Sequence, residues 1–473
     1  MEDIIQKINE NLPVNKEKKD NQGEVLTPFF LIDEMLDRLP APVWKNPELR
    51  WLEPSSGIGG FMMVIYARLM ESLPDTYHSE KVSYSTKYGK SQHVLKYMLH
   101  GVEIDRENVI ISREIFGKDA NIHKSDFLTW TPEGEGVMFD IIVGNPPYNE
   151  GGTMKGSGIL WKDFVLKSIE LLAHNGYLLF VHPTGWRKPA GERASTGDLW
   201  TLFRNNYTLR FLKMSDVPIP NFPRVDYYVL QKKSPDNDQK TRVISIFEGN
   251  KYEGMLELYG LDFIPHFVNP SILRILKKVF NTSGDKFNIV RDRTFEPTKS
   301  HMESQNTRGT PYTFYYEPEC REYVYAYDKS EKPEYVNKKK IIMTHTRGKI
   351  AGLLYPVYYS EEVGSSSNTM YQVIERGDKV RSMMAVLQSK LIEFLMRITQ
   401  YSETPNHKNE YKILNMIVKP LGATVKSDRD VYTYYSINKT EIRTIEKIIG
   451  KEHSPVKSRR VHCKRHRLTS KML

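Results

Sequence analysis

The chain has 473 residues, 39% of them hydrophobic and 27% charged, with a formal net charge of +10. That balance fits a soluble protein of two or three domains with sizeable cores, and no apolar run reaches the length of a membrane span. Cys320 and Cys463 are too few for a disulfide framework or a zinc site. Residues 1–22 lack the apolar core and cleavage site of a secretory signal. An intracellular, soluble protein without structural metal is therefore expected. The charge is uneven: residues 451–473 hold eight Lys and Arg against one acid, or +7 of the total, and leave a mildly basic body. Such a tail can condense on phosphates, stay a solvated end, or act as a targeting address.

From about residue 20 to about 235, apolar strand-like runs alternate with helical stretches, the pattern of an α/β domain with a mainly parallel sheet. Strands are expected at 50–52, 98–103, 139–143, 177–181, 209–214 and 227–231. The loop Glu53-Pro54-Ser55-Ser56-Gly57-Ile58-Gly59-Gly60-Phe61 follows the first strand and opens a helix over Phe61–Glu71. Its glycines permit a tight turn and close approach of a ligand. Glu53 repels a pyrophosphate and can instead pair with an ammonium, which favours a ligand with an amino-acid moiety over a dinucleotide. Residues 73–92, polar and rich in Ser, Tyr and Lys, read as a surface insertion.

The next strand ends in Gly101-Val102-Glu103-Ile104-Asp105, which places Glu103 to accept hydrogen bonds from a ribose diol. Asp126-Phe127 follows another short strand-like stretch at His123-Lys124-Ser125, so Asp126 can accept from an adenine amine while Phe127 packs on the ring. Each acid alone could be a helix cap or a solvated surface group. Their common placement at carboxyl ends of successive strands, where open α/β sheets bind ligands, points to a site.

The most specific string is Ile141-Ile142-Val143-Gly144-Asn145-Pro146-Pro147-Tyr148, a buried strand that ends in a rigid polar turn. Pro146 and Pro147 have fixed φ and no N–H, so the turn offers carbonyl acceptors and almost no donors. Asn145 adds a side-chain carbonyl and Tyr148 a flat aromatic face. Two acceptors beside an aromatic plane suit a planar group with an exocyclic amine: adenine, cytosine or a side-chain amide.

Residues of about 240–425 are Tyr-rich and mixed, with β-like runs at Lys340–Met343, Leu353–Tyr359 and Met370–Ile374. The helical spacing of Met383, Met384, Leu387, Leu391, Phe394, Leu395 and Ile398 predicts one amphipathic helix over Lys379–Thr399. A shorter helix is expected at Lys439–Gly450, before the basic tail. No internal repeat is present.

In their order these elements resemble the gamma-type N6-adenine DNA methyltransferases, the S-adenosyl-L-methionine-dependent amino-methyltransferases of restriction-modification type. Gly23-Glu24-Val25-Leu26-Thr27-Pro28 resembles the motif that closes over the donor's methionine end, and Val181-His182-Pro183-Thr184-Gly185-Trp186 the strand and turn after the catalytic loop. Pro220-Asn221-Phe222-Pro223-Arg224-Val225-Asp226 resembles the late loop near an extruded base. The specific match covers about residues 20–235. It reaches the C-terminal part only by position and by the Gly364-Ser365-Ser366-Ser367-Asn368 pattern. One departure is the long spacer between the donor loop and the ribose segment.

The resemblance implies a Rossmann-like α/β methyltransferase domain with a mainly parallel twisted sheet, followed by a mixed α+β target-recognition domain. The expected division is an N-terminal extension at 1–20, a catalytic domain at 21–238, a DNA-reading domain at 239–425, and a helical appendix with the basic tail at 426–473. It implies S-adenosyl-L-methionine held by Thr27, Glu53, Ser55, Gly57, Gly59, Glu103, Ile104, Asp126, Phe127 and Asn145. It also implies double-stranded DNA as partner, with adenine extruded onto Asn145, Pro146, Pro147 and Tyr148. Phe222 either packs against that base or is a buried loop aromatic. Arg347, Lys349, Tyr355, Tyr358, Tyr359, Asn406, His407 and Lys408 are candidate groove contacts. Adenine is favoured over cytosine because the Thr27-Pro28 element comes first, and because the turn begins with Asn where cytosine-N4 enzymes more often carry Ser. The same tetrapeptide also occurs in methyltransferases of a protein glutamine or of RNA. Those enzymes usually carry their extra domain at the N-terminus, so DNA is the preferred substrate. A binding module on an inactive scaffold is disfavoured by the intact turn, and a fused nuclease by the lack of a convincing carboxylate–lysine cluster. A separate cognate restriction endonuclease, the source and the recognition sequence stay open.

Overall fold

The structure, a computed structural model, describes residues 27–134, 136–148, 159–190, 198–214, 224–291, 338–347, 357–360, 363–364, 369–401, 407–408 and 410–450, together with the strands at 302–303, 310–316 and 319–325. The chain divides into two units, Met1–Ile264 and Pro265–Leu473. Among the described residues no helix is long and apolar enough to cross a membrane.

In the first unit the apolar runs become β1 (Trp51–Glu53), β4 (Leu99–Glu103), β5 (Asn121–Lys124), β6 (Phe139–Gly144), β7 (Leu172–Pro183), β8 (Thr208–Met214) and β9 (Val225–Gln231). The expected insertion at 73–92 is structured. It forms a small hairpin, β2 (Tyr77–His78) and β3 (Ser83–Tyr84), and the helix Lys87–His93, capped by the Thr86 side chain. Lys90 of that helix is buried and binds Asp75 at 2.8 Å. A π-helical turn at Val94–Met98 then delays the next strand to Leu99.

The strand order is β11-β10-β8-β9-β7-β6-β1-β4-β5, where β10 (Thr241–Phe247) and β11 (Asn250–Leu256) form a terminal hairpin. Strands β1, β4, β5, β6 and β7 are parallel, β9 runs antiparallel between β7 and β8, and β10 is parallel to β8. All seven residues of β9 are buried, as expected of a strand covered on both faces. The sheet thus continues past residue 238, where the sequence suggested a boundary, and the compact unit ends at Ile264. The turn that makes this hairpin is Glu248-Gly249, both with positive φ (47° and 76°). That conformation suits a two-residue hairpin turn, but Glu at its first position hides it from a search for Asn-Gly or Asp-Gly.

Helix Phe29–Leu36 buries Leu31, Ile32, Met35 and Leu36, and is fixed at both sides by charge. Arg68 from helix Gly60–Ser72 reaches Asp33 and Asp37, each at 2.7 Å. Glu34 accepts from Lys213 Nζ at 2.6 Å and from the Tyr227 hydroxyl at 2.7 Å. These ties hold the segment after Thr27-Pro28 against the sheet.

In the second unit, Lys340–Thr344 pairs antiparallel with Val357–Ser360 and Thr369–Val373, and the latter with Ile289–Val290. A second sheet contains Met302–Glu303, Glu319–Tyr325, Thr310–Tyr316 and Val363–Gly364. The single helix expected at Lys379–Thr399 is two, Val380–Leu387 and Lys390–Ile398. Ser389 stops the first and caps the second by accepting from the Ile392 N–H, a local competition that apolar periodicity does not register. Helix Lys439–Ile449, expected within a separate appendix, packs on Lys390–Ile398 and on Pro270–Phe280. Lys278 binds Glu441 at 2.7 Å in the same cluster. The tail at 451–473 lies outside the described residues.

One buried charge pair underlies the first unit. Arg187 donates to both carboxylate oxygens of Asp226 at 2.6 and 2.9 Å, and both side chains are fully buried. Removing one partner strands the other charge away from water. Asp226→Ala should therefore destabilise this unit by roughly 3–5 kcal/mol. Urea unfolding followed by tryptophan fluorescence checks this, and an unchanged midpoint for the first unit's transition would contradict the assignment.

Candidate donor and base site at the carboxyl edge of the sheet

Strand β1 has β4 on one side and β6 on the other, so the chain leaves it in opposite directions. The carboxyl ends of these strands part at that point, and open α/β sheets hold ligands in the resulting crevice. Glu53, Glu103 and Asn145 all stand at this edge, at or just beyond the ends of β1, β4 and β6.

The loop after β1 is bent by Gly57 (φ +52°) and Gly59 (φ +96°). A Cβ at Gly59 would run into the Phe116 ring, so this position excludes other residues by both conformation and space. Gly101 makes a second close approach: a Cβ there would lie 2.7 Å from Met62 Sδ and 3.1 Å from Ser56 Oγ. The Gly57 N–H donates to Glu103 Oε2 and the Asp105 N–H to Oε1, both at 2.7 Å. Glu103 therefore locks the loop to the end of β4. A carboxylate oxygen can accept more than one hydrogen bond, so this bracing is compatible with a further donor. Asp105 caps helix Arg106–Phe116 by accepting from the Glu107 and Asn108 N–H groups.

Glu53 is buried and accepts from the Met62 N–H at 3.2 Å, at the start of helix Gly60–Ser72. Burial holds its carboxyl well above the usual glutamate range; the Met62 N–H opposes this, and the nearby Glu103 adds to it. Ile104 is 65% exposed, an unusual place for a large apolar side chain. Asp126 is exposed and accepts from the Leu128 N–H at 3.0 Å. Phe127 turns inward, 2% exposed, with its ring 5.1 Å from that of Phe164.

The Asn145-Pro146-Pro147-Tyr148 turn is tied to both neighbouring segments. Ser55 Oγ donates to the Asn145 carbonyl at 3.3 Å, and Asn145 Nδ2 donates to Thr27 Oγ1 at 3.2 Å. Pro146 and Tyr148 are buried, and Asn145 and Pro147 half-buried. Burial pushes the Tyr148 phenol far above its usual value against a hydrogen bond with Asn145, so it stays neutral. The structure thus brings Thr27, Glu53, Ser55, Gly57, Gly59, Glu103 and Asn145 into one connected set of contacts. Phe222 and Lys349 lie outside the described residues, as do Tyr355 and Asn406. In the second unit Arg347 pairs with His407, and Thr346 with Lys408, on two short antiparallel strands, while Tyr358 pairs with Ile342. Behind the Asn145–Tyr148 turn, the buried Trp161 ring stacks on His182, and Trp186 Nε1 donates to Asp226; His182, Trp186 and Asp226 lie in stretches the sequence marked, but Trp161 does not, and only the fold brings them together.

The Glu53 carboxyl sets a pH dependence. A group whose folded-state pKa is raised stabilises the fold at low pH, and this contribution is lost as pH rises from the ordinary value of 4.5 through the folded one. Ligand-free wild type should therefore lose stability across that rise relative to Glu53→Gln. Thermal midpoints of both proteins from about pH 5 to about pH 8 test this; parallel curves would contradict it.

The chain is similar to several known proteins. Residues 84–212 match the Eco57I restriction-modification methylase family. The chain is 27% identical to the modification methylase CviBIII of Paramecium bursaria Chlorella virus NC1A, over 52% of this chain and 60% of that protein. It is 27% identical to an uncharacterized adenine-specific methylase of Mycoplasma pneumoniae, over 35% of this chain and 57% of that one. The matches thus span less than two thirds of either relative. Among solved structures, the type IIL restriction-modification enzyme MmeI in complex with DNA superposes over 92% of this chain and 76% of its own, with a TM-score of 0.51 and 12% identity, a likeness of fold. Residues 84–212 are thus similar to the restriction-modification methylases of this family.

Proposed function

We propose that the chain is a sequence-specific DNA adenine-N6 methyltransferase. The observation that carries this reading is the Asn145–Tyr148 turn, held at the switch point by Ser55 and Thr27 beside the glycine-bent loop. The names of the viral modification methylase and the bacterial adenine-specific methylase support it.

The residues fit the donor. Glu53, desolvated and awkward as an anion on its own, suits an ammonium; Glu103 suits a ribose diol; exposed Ile104 offers an apolar contact; and Asp126 suits an adenine amine. When bound, S-adenosyl-L-methionine supplies an electrophilic methyl group on a sulfonium. The chain's own contribution lies on the other side of the transfer. Asn145 Oδ1 and the Pro146 carbonyl accept the two hydrogens of the target amine, while Tyr148 stacks on the extruded base. These acceptors draw the nitrogen lone pair out of conjugation and orient it in line with the methyl. Positive charge develops on nitrogen during attack, so acceptors aimed at its hydrogens bind the transition state better than the ground state. No side chain must ionise first, consistent with a neutral Tyr148. Phe222 would pack against the base. The second unit would read the duplex, with Arg347, Lys349, Tyr358 and Lys408 as groove contacts. A separate cognate restriction endonuclease would make the pair a restriction-modification system.

Asn145→Ala and Tyr148→Ala should each cost on the order of 3 kcal/mol in the methyl-transfer barrier, more than about 100-fold in rate, while donor affinity stays close to wild type. The assay is methylation of a random duplex pool with labelled donor, followed by mass spectrometry of the nucleosides. N6-methyladenine is the expected product. Methylcytosine as sole product, label only in protein or RNA, or near wild-type turnover by either variant would overturn the reading.

A further inference from the structure

We infer that His182 and Trp161, stacked behind the catalytic turn, are positioning residues that set the place of Tyr148. The inference rests on the reading of the Asn145–Tyr148 turn given above and adds residues that do not themselves touch the base.

Strand register brings His182 to the turn. Gly144, the last residue of β6, pairs with Phe180 of β7, and His182 lies two residues further along β7, level with the start of the turn. Its ring stacks on Trp161, with centroids 4.2 Å apart and planes inclined by 16°. Trp161 stands in the first turn of helix Leu160–Leu171, and the preceding N–H, that of Leu160, donates to the Tyr148 carbonyl at 3.3 Å. A short chain of contacts thus runs from His182 through Trp161 and the Leu160 amide to Tyr148.

The far end of this chain is buried and hydrogen-bonded on both ring nitrogens. His182 is fully buried, with Nδ1 3.1 Å from the Pro183 carbonyl and Nε2 3.0 Å from the Tyr228 hydroxyl. The carbonyl can only accept, so Nδ1 carries the proton and Nε2 accepts from Tyr228. Burial pushes the imidazole down to about 3, so this neutral tautomer persists at working pH. Trp186 and Tyr228 meet the ring edge-on, and Trp186 Nε1 donates to the same Asp226 that Arg187 clamps. The ring that Trp161 rests on is therefore anchored to a buried ion pair of the sheet. Pro146 and Pro147 offer no N–H to the turn, so the Leu160 N–H on the Tyr148 carbonyl is a support from outside it.

A shift of about 1 Å at a reacting group can cost roughly 100-fold in rate. Trp161→Leu and His182→Leu should each slow single-turnover methyl transfer at saturating donor and DNA by about tenfold or more. Donor affinity should stay within about twofold of wild type, because neither residue is among the proposed donor contacts. Trp161→Phe, which keeps an aromatic face, should restore most of the rate. The double Leu variant should be no slower than the slower single variant, since both break one contact. Hydrogen exchange of the Leu160 amide should quicken in both Leu variants. Multiplying effects in the double variant, wild-type rates in folded donor-binding variants, or unchanged exchange at Leu160 would each overturn the inference. Should His182→Leu not fold, the two Trp161 variants decide it alone. The exchange readout needs no substrate, so a wrong assignment of the methylated base would appear in the nucleoside analysis and leave this result standing.

Discussion

The crevice beside β1 is the constraint on which the site depends. Its two neighbours, β4 and β6, lie on opposite sides of it, the arrangement at which open α/β sheets hold ligands beyond the carboxyl ends of their strands. The positions that carry chemistry lie on this rim because the neighbouring positions are consumed by the core. Trp51 and Leu52 of β1 and Ile141, Ile142 and Val143 of β6 are fully buried, and the first polar groups after them are Glu53 and Asn145. Each strand delivers one such residue at nearly the same height, and the loops only have to bend away.

Bending away has an electrostatic consequence. Glu53 and Glu103 both end up buried near one another and accept from backbone N–H groups. Two carboxylates in that position favour the arrival of positive charge and of hydroxyl donors, and disfavour phosphate. The glycines let the loop pass close to Glu103 and leave the acids without intervening side chains. The same loop shape in front of a helix N-terminus would hold a pyrophosphate if Glu53 were absent.

Much of this was legible in the sequence because it is local. The apolar run 141–143 and the breakers after it mark β6 and its turn; Glu53 with the following glycines marks the loop; Glu103 and Asp126 mark two further strand ends. What escaped was either non-local or locally disguised. The β10–β11 hairpin closes through Glu248 with positive φ, which turn propensities do not favour. The break between Leu387 and Lys390 depends on a cap by Ser389 inside an unbroken apolar pattern. The stack of His182 on Trp161 joins residues 21 apart that meet only because β7 returns beside β6, and the Arg187–Asp226 pair exists only once β9 lies antiparallel on β7. The Phe127 ring lies against Phe164, a contact that the sequence alone does not show.

The catalytic turn joins these threads. Two consecutive prolines leave its carbonyls unclaimed by local N–H groups, which suits a surface meant to accept from a substrate amine. The same absence deprives the turn of the hydrogen bonds that ordinarily stiffen a loop. Contacts from three other segments fix it: the Ser55 hydroxyl on the Asn145 carbonyl, Thr27 on the Asn145 amide, and the Leu160 N–H on the Tyr148 carbonyl. Thr27 is placed by a helix that Arg68 and Lys213 bind to the domain, Ser55 by a loop braced on Glu103, and Leu160 by a helix whose first turn rests on His182. A turn with two consecutive prolines has few donors of its own and is held from three sides, and the sheet positions all three supports.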